Sequence, residues 1–341
     1  MANLVLSRSS IPQTLLDAKK SAMADFFTEG DVAMAVTFLA HPNPRHNVMG
    51  IGLGRKLVKG KLTDVPCVRF YVERKLDKQA ISKEFMLPQR IGQVATDVIA
   101  SGRFWAYAGA SKERSRLRPA RPGCSIGFAF TGAQSGNIMA GTFGAVVESG
   151  GKRFILSNNH VLAHENALPL GSTIFQPGLL DKNTPQTDKI GKLSKFVTLE
   201  TANPNHVDCA IAEILENNLV SPTVMPKVNK LKSGQPVVAT VGMRVEKTGR
   251  TTGYTSGTIR DISANVKVGY DLGTLTFEDQ IIIVGGTKSF SDAGDSGSLI
   301  VEQKSKRPVG LLFAGSDSHT IANHIEDVLQ QLNVSIVAQT R

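Results

Sequence analysis

Residues 292–298 read Asp292-Ala-Gly-Asp-Ser-Gly-Ser298, a glycine-rich turn that places one serine between an aspartate and a glycine. A glycine two positions before a serine lets the main chain turn so that the amides of Gly294 and Ser296 face one point. Two amides aimed at one point can stabilise a developing negative charge on an oxygen atom. We therefore predict that Gly294 and Ser296 form an oxyanion hole, with the Ser296 hydroxyl as a nucleophile.

Two further segments carry the groups that such a serine needs. A serine hydroxyl is a weak nucleophile until an imidazole accepts its proton, and a carboxylate on the other imidazole nitrogen fixes the tautomer. Leu156-Ser-Asn-Asn-His-Val-Leu-Ala163 supplies His160, and Val207-Asp-Cys-Ala-Ile-Ala212 supplies Asp208. Each segment alone also fits a tight turn or a buried structural polar residue. The occurrence of all three, in the order His, Asp, Ser, favours a catalytic triad of His160, Asp208 and Ser296.

The triad segments lie in a part of the chain that has the pattern of a β protein. From Gly123 onward, short apolar runs such as KRFILS, PVVATVG and PVGLLFAG alternate with Gly, Pro, Asn and Asp about every ten residues. This spacing is typical of β-barrels or sandwiches. Near the end, the segment ANHIEDVLQQL places its apolar residues on one face and predicts a helix that packs on the last barrel.

These motifs together resemble the trypsin-like serine peptidases of the chymotrypsin-fold family. SNNHVLA, VDCAIA and GDSGS correspond to the histidine, aspartate and serine motifs of that family. The segments RPGCSIG, GTFGAVV, KTGRTTGYTSGTI and ANHIEDVL are similar to an intracellular branch that includes bacterial trypsin-like proteins and plant proteases of the narrow-leaf type. The N-terminal segments GIGLGRK and PCVRFYVERKL extend this similarity.

The resemblance implies a mainly β fold with two antiparallel six-stranded barrels and a C-terminal helix, preceded by a small α+β domain. We expect a basic accessory domain in residues 1–102, a linker in 103–122 and a peptidase domain in 123–341. Within the last, we place barrel 1 at about 123–230, barrel 2 at about 231–320 and the helix at about 321–333. The implied activity is that of a serine endopeptidase working through an acyl-enzyme. The alternative is a non-catalytic or latent scaffold or regulatory protein on the same fold.

The resemblance also implies where a peptide substrate would bind. Phe290, six residues before Ser296, aligns with the base of the first specificity pocket, and Phe313, Ala314 and Gly315 align with the strand that pairs with substrate. Because Phe290 is not an acid, cleavage after Lys or Arg is disfavoured. Because the family's activating sequence is not found in this chain, we expect that Asp295 has another partner or that the enzyme is assembled by a different switch.

The N-terminal third of the chain carries nearly all of the net charge. Residues 1–120 hold 19 Lys and Arg against 10 Asp and Glu, out of a total net charge of +10. A basic region can concentrate an anionic partner such as nucleic acid, an acidic protein or a lipid surface. The linker arginines Arg114, Arg116, Arg118 and Arg121, with Trp105 and Tyr107 nearby, are the nucleic-acid candidates; a solvated linker is the favoured alternative. We also consider a regulatory partner or a homo-oligomer formed through this region.

The remaining signals lead us to expect a cytoplasmic protein without a cofactor. The longest uncharged apolar stretch, residues 32–40, is shorter than the roughly 20 residues that a bilayer span needs. Three widely spaced cysteines do not suggest a disulfide framework or a metal site. The segment GIGLG is not followed by a helix pattern, so we expect no nucleotide site, and we predict no metal site and no membrane association.

Overall fold

The computed structural model describes residues 6–27, 44–77, 79, 81, 83–105, 112–129, 139–181, 188–222, 228, 231 and 233–338. The apolar residues 32–40 and Tyr107 lie outside these ranges. Three α-helices occur in the described part of the chain: α1 (Gln13–Phe26), α2 (Asn159–Leu162) and α3 (Ile325–Leu332).

The described strands fall into an N-terminal group, a middle group and a C-terminal group. They are β1 (Val48–Val58), β2 (Lys61–Val72), β3 (Arg90–Ile91), β4 (Val94–Ala100), β5 (Phe104–Trp105), β6 (Ser125–Phe128), β7 (Gly141–Thr142), β8 (Ala145–Ser149), β9 (Lys152–Ser157), β10 (Thr173–Phe175), β11 (Lys189–Phe196), β12 (Ala210–Ile214), β13 (Arg244–Gly249), β14 (Gly253–Tyr270), β15 (Gly273–Gly285), β16 (Leu299–Glu302), β17 (Pro308–Gly315), β18 (Thr320–His324) and β19 (Ser335–Ile336).

The middle group forms the first barrel. Its hydrogen-bonded order is β8–β9–β12–β11–β10–β6–β7, and all of these pairings are antiparallel. Since β7 leads directly into β8 along the chain, the two act as one irregular strand that closes the ring. Apolar side chains including Ile126, Ile155 and Ala212 fill its interior.

The C-terminal group forms the second barrel in the order β13–β16–β17–β18–β15–β14, which the pairing of β13 with β14 closes. Helix α3 follows β18 and buries Ile325, Val328 and Leu332. After α3 the chain returns to the first barrel, where β19 pairs with β8. The predicted mainly β fold, with two six-stranded barrels and a C-terminal helix, is confirmed.

The N-terminal region differs from the independent unit that we expected in residues 1–102. Strand β1 pairs with β14, so that β1, β2, β4 and β3 extend the sheet of the second barrel. Leu15 of α1 and Ile51 of β1 lie in the same apolar cluster as Ile283 of β15. The reason is the length of β14: its 18 residues present a long edge that β1 can pair with. Local sequence patterns do not report such a long-range pairing.

The segment 103–122 also differs from the exposed linker that we expected. Phe104 and Trp105 form β5, which pairs with both β14 and β17. Arg116 Nε lies 2.6 Å from Asp188 Oδ1, and Arg114 Nε lies 3.3 Å from Asp181 Oδ1. Asp181 and Asp188 therefore offset only part of the positive charge of this segment, because Asp181 also pairs with Arg250 and Asp188 is shared with Arg118.

None of the described helices combines the length and the hydropathy needed for a membrane span. Within the same residues, no group of three or more His, Cys, Asp or Glu side chains is arranged to hold a metal ion. The three cysteines, Cys67, Cys124 and Cys209, are free and buried.

Candidate active site

His160 lies on the one-turn helix α2, directly after β9 ends. Two asparagines fix the surrounding loop: Asn159 Nδ2 donates to Asn166 Oδ1 at 2.7 Å, and the Asn166 amide donates back to Asn159 Oδ1 at 3.0 Å. The chain needs this support because residues 164–166 all have positive φ angles, which non-glycine residues rarely adopt. The loop holds α2 so that the His160 side chain is buried.

Asp208 lies just before β12 and bonds directly to His160. His160 Nδ1 is 2.5 Å from Asp208 Oδ2, and both side chains are almost completely buried. The other carboxylate oxygen accepts from the amides of Asn159 at 2.6 Å and His160 at 3.3 Å. A carboxylate bonded to one imidazole nitrogen fixes the tautomer of the ring. The imidazole then carries its proton on Nδ1 and leaves Nε2 as an acceptor.

Tyr270, at the end of β14, adds a contact that the sequence did not suggest. Its hydroxyl donates to Asp208 Oδ2 at 2.8 Å, and its ring packs edge-on against the His160 ring, with centroids 5.9 Å apart. Burial, together with the Asp208 carboxylate, raises the pKa of the Tyr270 phenol well above its usual value. Tyr270 is therefore a permanent hydrogen-bond donor to Asp208, and it connects the second barrel to the first.

Ser296 lies next to the histidine helix, but its hydroxyl bonds elsewhere. The Ser296 hydroxyl donates to the Phe313 carbonyl at 3.2 Å, whereas His160 Nε2 is buried and has no hydrogen-bond partner among the described residues. Gly141 shows how close the two elements are, since a Cβ there would lie 2.5 Å from Val161 Cγ2 and 3.1 Å from the Ser296 carbonyl oxygen. The structure thus brings the serine loop against α2 without a hydrogen bond between the two side chains.

The turn around Ser296 is fixed by a glycine and by contacts with Thr142. Gly294 has φ 91°, in the region that favours glycine. Its carbonyl accepts from Thr142 Oγ1 at 2.9 Å, and the Ser296 carbonyl accepts from the Thr142 amide at 2.8 Å. Within the described part of the chain, no backbone carbonyl accepts from the amides of Gly294 and Ser296. These two amides can therefore donate to a bound oxygen atom.

Asp295, between the two amides, has a buried cation as its partner. Lys247 Nζ donates to Asp295 Oδ2 at 2.9 Å, and neither side chain is exposed to solvent. The amides of Thr251 and Thr252 donate to Oδ1 at 2.8 and 3.1 Å. Burial lowers the pKa of the Lys247 ammonium, an effect that Asp295 opposes. Lys247 is therefore the partner that the sequence left open for Asp295.

A cavity of about 400 Å³ lies beside Ser296. Ala314 and Gly315, two of the predicted substrate residues, line it. Phe290 does not, and its placement at the base of the pocket was wrong: the ring is buried in the core of the second barrel, and Ser289 and Ser291 line the cavity instead. The Phe313 ring is also fully buried, so this residue presents only its carbonyl to the site.

Glu165 is another residue that sequence reasoning missed. Its carboxylate accepts from the amides of Asp271 and Leu272 at 3.1 and 2.8 Å, so it ties the histidine loop to the turn between β14 and β15. Burial raises the pKa of the Glu165 carboxyl, while the two amides act against this shift. No local motif marks Glu165, Tyr270 or Lys247, because the site residues that they contact lie 48 or more residues away along the chain.

Comparison with known proteins places these features in context. The family model for the Nal1 C-terminal domain matches residues 210–327. Protein NARROW LEAF 1 of Oryza sativa subsp. japonica is 25% identical over 302 residues, which cover 79% of this chain and 51% of the rice protein. The chain therefore spans about half the length of this curated relative.

Solved structures with a similar course of the chain include serine proteases. A glutamic-acid-specific serine protease is 18% identical, with a TM-score of 0.45, over 64% of this chain and 100% of that one. Thermobifida fusca Protease A is also 18% identical, with a TM-score of 0.43 and the same two coverages. The two barrels of this chain give it the predicted chymotrypsin-like fold. The matches to Protein NARROW LEAF 1 and to the Nal1 C-terminal domain confirm the predicted resemblance to plant proteins of the narrow-leaf type.

Proposed function

We propose that this protein is a serine peptidase that hydrolyses peptide bonds through Ser296, His160 and Asp208, with an acyl-enzyme intermediate. The observation that carries the proposal is the buried His160–Asp208 hydrogen bond, which leaves Nε2 of His160 without a partner beside the serine loop. The imidazole of His160 supplies the proton transfer that this chemistry needs, and the amides of Gly294 and Ser296 supply the charge stabilisation.

In the proposed reaction, Ser296 Oγ rotates away from the Phe313 carbonyl and donates to His160 Nε2. It then attacks the carbonyl carbon of a peptide bond while His160 accepts its proton. The amides of Gly294 and Ser296 stabilise the oxyanion. His160 returns the proton to the leaving amine, and a water molecule activated by the same imidazole hydrolyses the ester. Asp208, held by Tyr270 and by two amides, stabilises the imidazolium in both steps.

The hydrogen bond from Ser296 to Phe313 also supports a second candidate, a latent or non-catalytic protein on the same fold. In that case the serine would stay on the carbonyl until a partner changed the loop, and the basic N-terminal region would be the part that binds the partner. The cytoplasmic setting remains a prediction, which three free, buried cysteines support.

A fluorophosphonate probe tests the proposal, because it forms a covalent bond only with an activated serine. We expect labelling of the wild-type protein at Ser296 and none in Ser296→Ala. The variant His160→Ala should lose labelling and peptide hydrolysis by about 10⁴-fold or more. His164→Ala is the matched control, since this nearby histidine packs against Phe128 and should leave labelling intact. A wild-type protein that folds normally and is not labelled contradicts the proposal and favours the latent candidate.

A further inference from the structure

Strand β5 occupies an edge of the cleft that the proposed function assigns to substrate. Trp105 pairs antiparallel with Gly315 at the end of β17. On its other side, β5 runs parallel to the end of β14, with Phe104 opposite Val268 and Trp105 opposite Gly269. The main chain of β5 therefore fills the space between the ends of two strands of the second barrel.

Several contacts fix β5 in this position. Phe104 is 2% exposed and packs in the same apolar cluster as Phe313. Ser316 Oγ donates to the Ser101 carbonyl at 2.5 Å, just before β5 begins. The Trp105 indole lies so close to Gly269 that a Cβ at that position would overlap the ring. Trp105 is also among the residues that line the 400 Å³ cavity beside Ser296. Together these contacts make β5 a fixed wall of the site.

The pairing register shows where this wall meets a bound peptide. A peptide that adds to β17 as an antiparallel strand bonds through every second residue. If the residue before the cleaved bond donates its amide to the Phe313 carbonyl, the residue two positions earlier faces Gly315. In this structure, Gly315 is already paired with Trp105 and is not open to that peptide residue. An extended peptide therefore has room for two residues on the acyl side of the cleaved bond, and only the first of them has a main-chain partner on β17.

We propose that β5, with the Trp105 indole as its anchor, ends the acyl side of the substrate cleft after the second residue. The inference rests on the proposed function, and it makes Trp105 a specificity-determining residue. The substrates it selects are peptides recognised through the two residues before the cleaved bond, with no affinity gained from residues further toward the N-terminus.

A series of peptidyl phosphonates with two, three or four alanines before the reactive phosphorus measures this length dependence through the rate of Ser296 labelling. In the wild type, we expect rates that agree within about threefold across the series, since no added residue gains a hydrogen-bond partner. In Gly269→Ala, the added Cβ displaces the indole, and in Trp105→Gly the anchor is absent. Both variants should react about tenfold faster with the four-residue reagent than with the two-residue reagent, the equivalent of one or two added hydrogen bonds.

Trp105→Phe is the matched control, because an aromatic ring remains over Gly269, and it should behave as the wild type does. A wild-type rate that rises tenfold or more from two to four residues overturns the inference, and so does an unchanged profile in both Gly269→Ala and Trp105→Gly when these proteins are folded.

A second readout does not depend on catalysis. Trp105 is the single tryptophan of the chain, so its fluorescence reports on β5 directly. In Ser296→Ala, we expect peptides of two and four alanines to perturb the emission with equal affinity, and in Ser296→Ala with Gly269→Ala the longer peptide should bind tighter. If this binding pattern is found while no reagent labels the wild type, the proposed function fails and the cleft boundary stands. If the reagents label the wild type and the labelling rate rises with each added alanine, the proposed end of the cleft at β5 is wrong and the proposed function stands.

Discussion

Replacement of Lys247 by Met tests whether a buried ion pair holds the serine loop in its reactive shape. Lys247 Nζ lies 2.9 Å from Asp295 Oδ2, and both side chains are fully buried. Methionine keeps most of the apolar stem but removes the charge. The Asp295 carboxylate then stays buried without a cation, on the residue that stands in the chain between Gly294 and Ser296, whose amides we assign to the oxyanion hole.

The magnitude follows from what Asp295 loses and what it keeps. Removal of one partner of a buried ion pair destabilises a protein by about 3–5 kcal/mol. Asp295 would still accept from the amides of Thr251, Thr252 and Asp292 and from the Thr252 hydroxyl. Because these donors compensate part of the charge, we expect the lower end, about 3 kcal/mol. Displacement of even one oxyanion donor slows reaction by about 10²–10³-fold, so fluorophosphonate labelling should fall by at least about 10²-fold.

Urea unfolding and labelling rates measure the two effects in the same preparations. The urea concentration at the unfolding midpoint should fall, while the slope of the free energy of unfolding against urea concentration stays the same. This combination indicates a change in stability alone. Lys152→Met is the matched control, since its pair with Glu213 is exposed at the surface and should contribute less than about 1 kcal/mol. The double variant Lys247→Met with Asp295→Asn should recover part of the lost stability. A Lys247→Met protein within about 1 kcal/mol of the wild type, labelled at the wild-type rate, refutes the reasoning.

Three further variants address other contacts of the site and the fold. Tyr270→Phe removes a hydrogen bond to a buried carboxylate that is worth about 1.5–3 kcal/mol, so labelling should slow by about tenfold or more while the far-ultraviolet circular dichroism stays unchanged. Glu165→Ala leaves the amides of Asp271 and Leu272 without their acceptor; the melting temperature should fall, and Glu165→Gln should restore part of it. Burial lowers the pKa of His324 from 6.5 to about 4, so the stability it contributes is present above pH 6.5 and is lost as the pH falls toward 4. His324 alone should contribute about 3 kcal/mol to the loss measured by urea unfolding between pH 7 and pH 4, in addition to His319, whose pKa burial also lowers to about 4, and His324→Gln should remove its own part.

The three residues of the proposed triad could be selected from the sequence, whereas the residues that support them could not. His160, Asp208 and Ser296 lie in short motifs whose residue types are set by the chemistry itself. Tyr270 and Lys247 act through single hydrogen bonds to those motifs from other strands. Any donor of suitable length at the right place in the fold could fill either role, so no local pattern marks them.

The fold was predictable where strand patterns and motifs coincide, and less so where pairing is long-range. The two barrels follow from the spacing of strands and turns, but the pairing of β1 with β14 depends on an edge formed 200 residues later in the sequence. Phe290 shows a second limit. Its ring enters the core of the second barrel while its neighbours Ser289 and Ser291 line the cavity, and its position in the sequence does not tell which way its side chain points.

Residues of each barrel support the part of the site that lies on the other barrel. The reactivity of Ser296 should therefore depend on how the two barrels pack against each other. Asp208, in the first barrel, accepts from Tyr270 of β14, and its amide donates to Asn323 of β18 at 3.1 Å. Ser296, in the second barrel, accepts through its carbonyl from the Thr142 amide of β7. Since support crosses in both directions, a small separation of the barrels disturbs the imidazole and the serine loop together. Labelling of Ser296 should therefore disappear at a lower urea concentration than the circular dichroism of the strands, and coincident transitions would show that docking and barrel folding are one event.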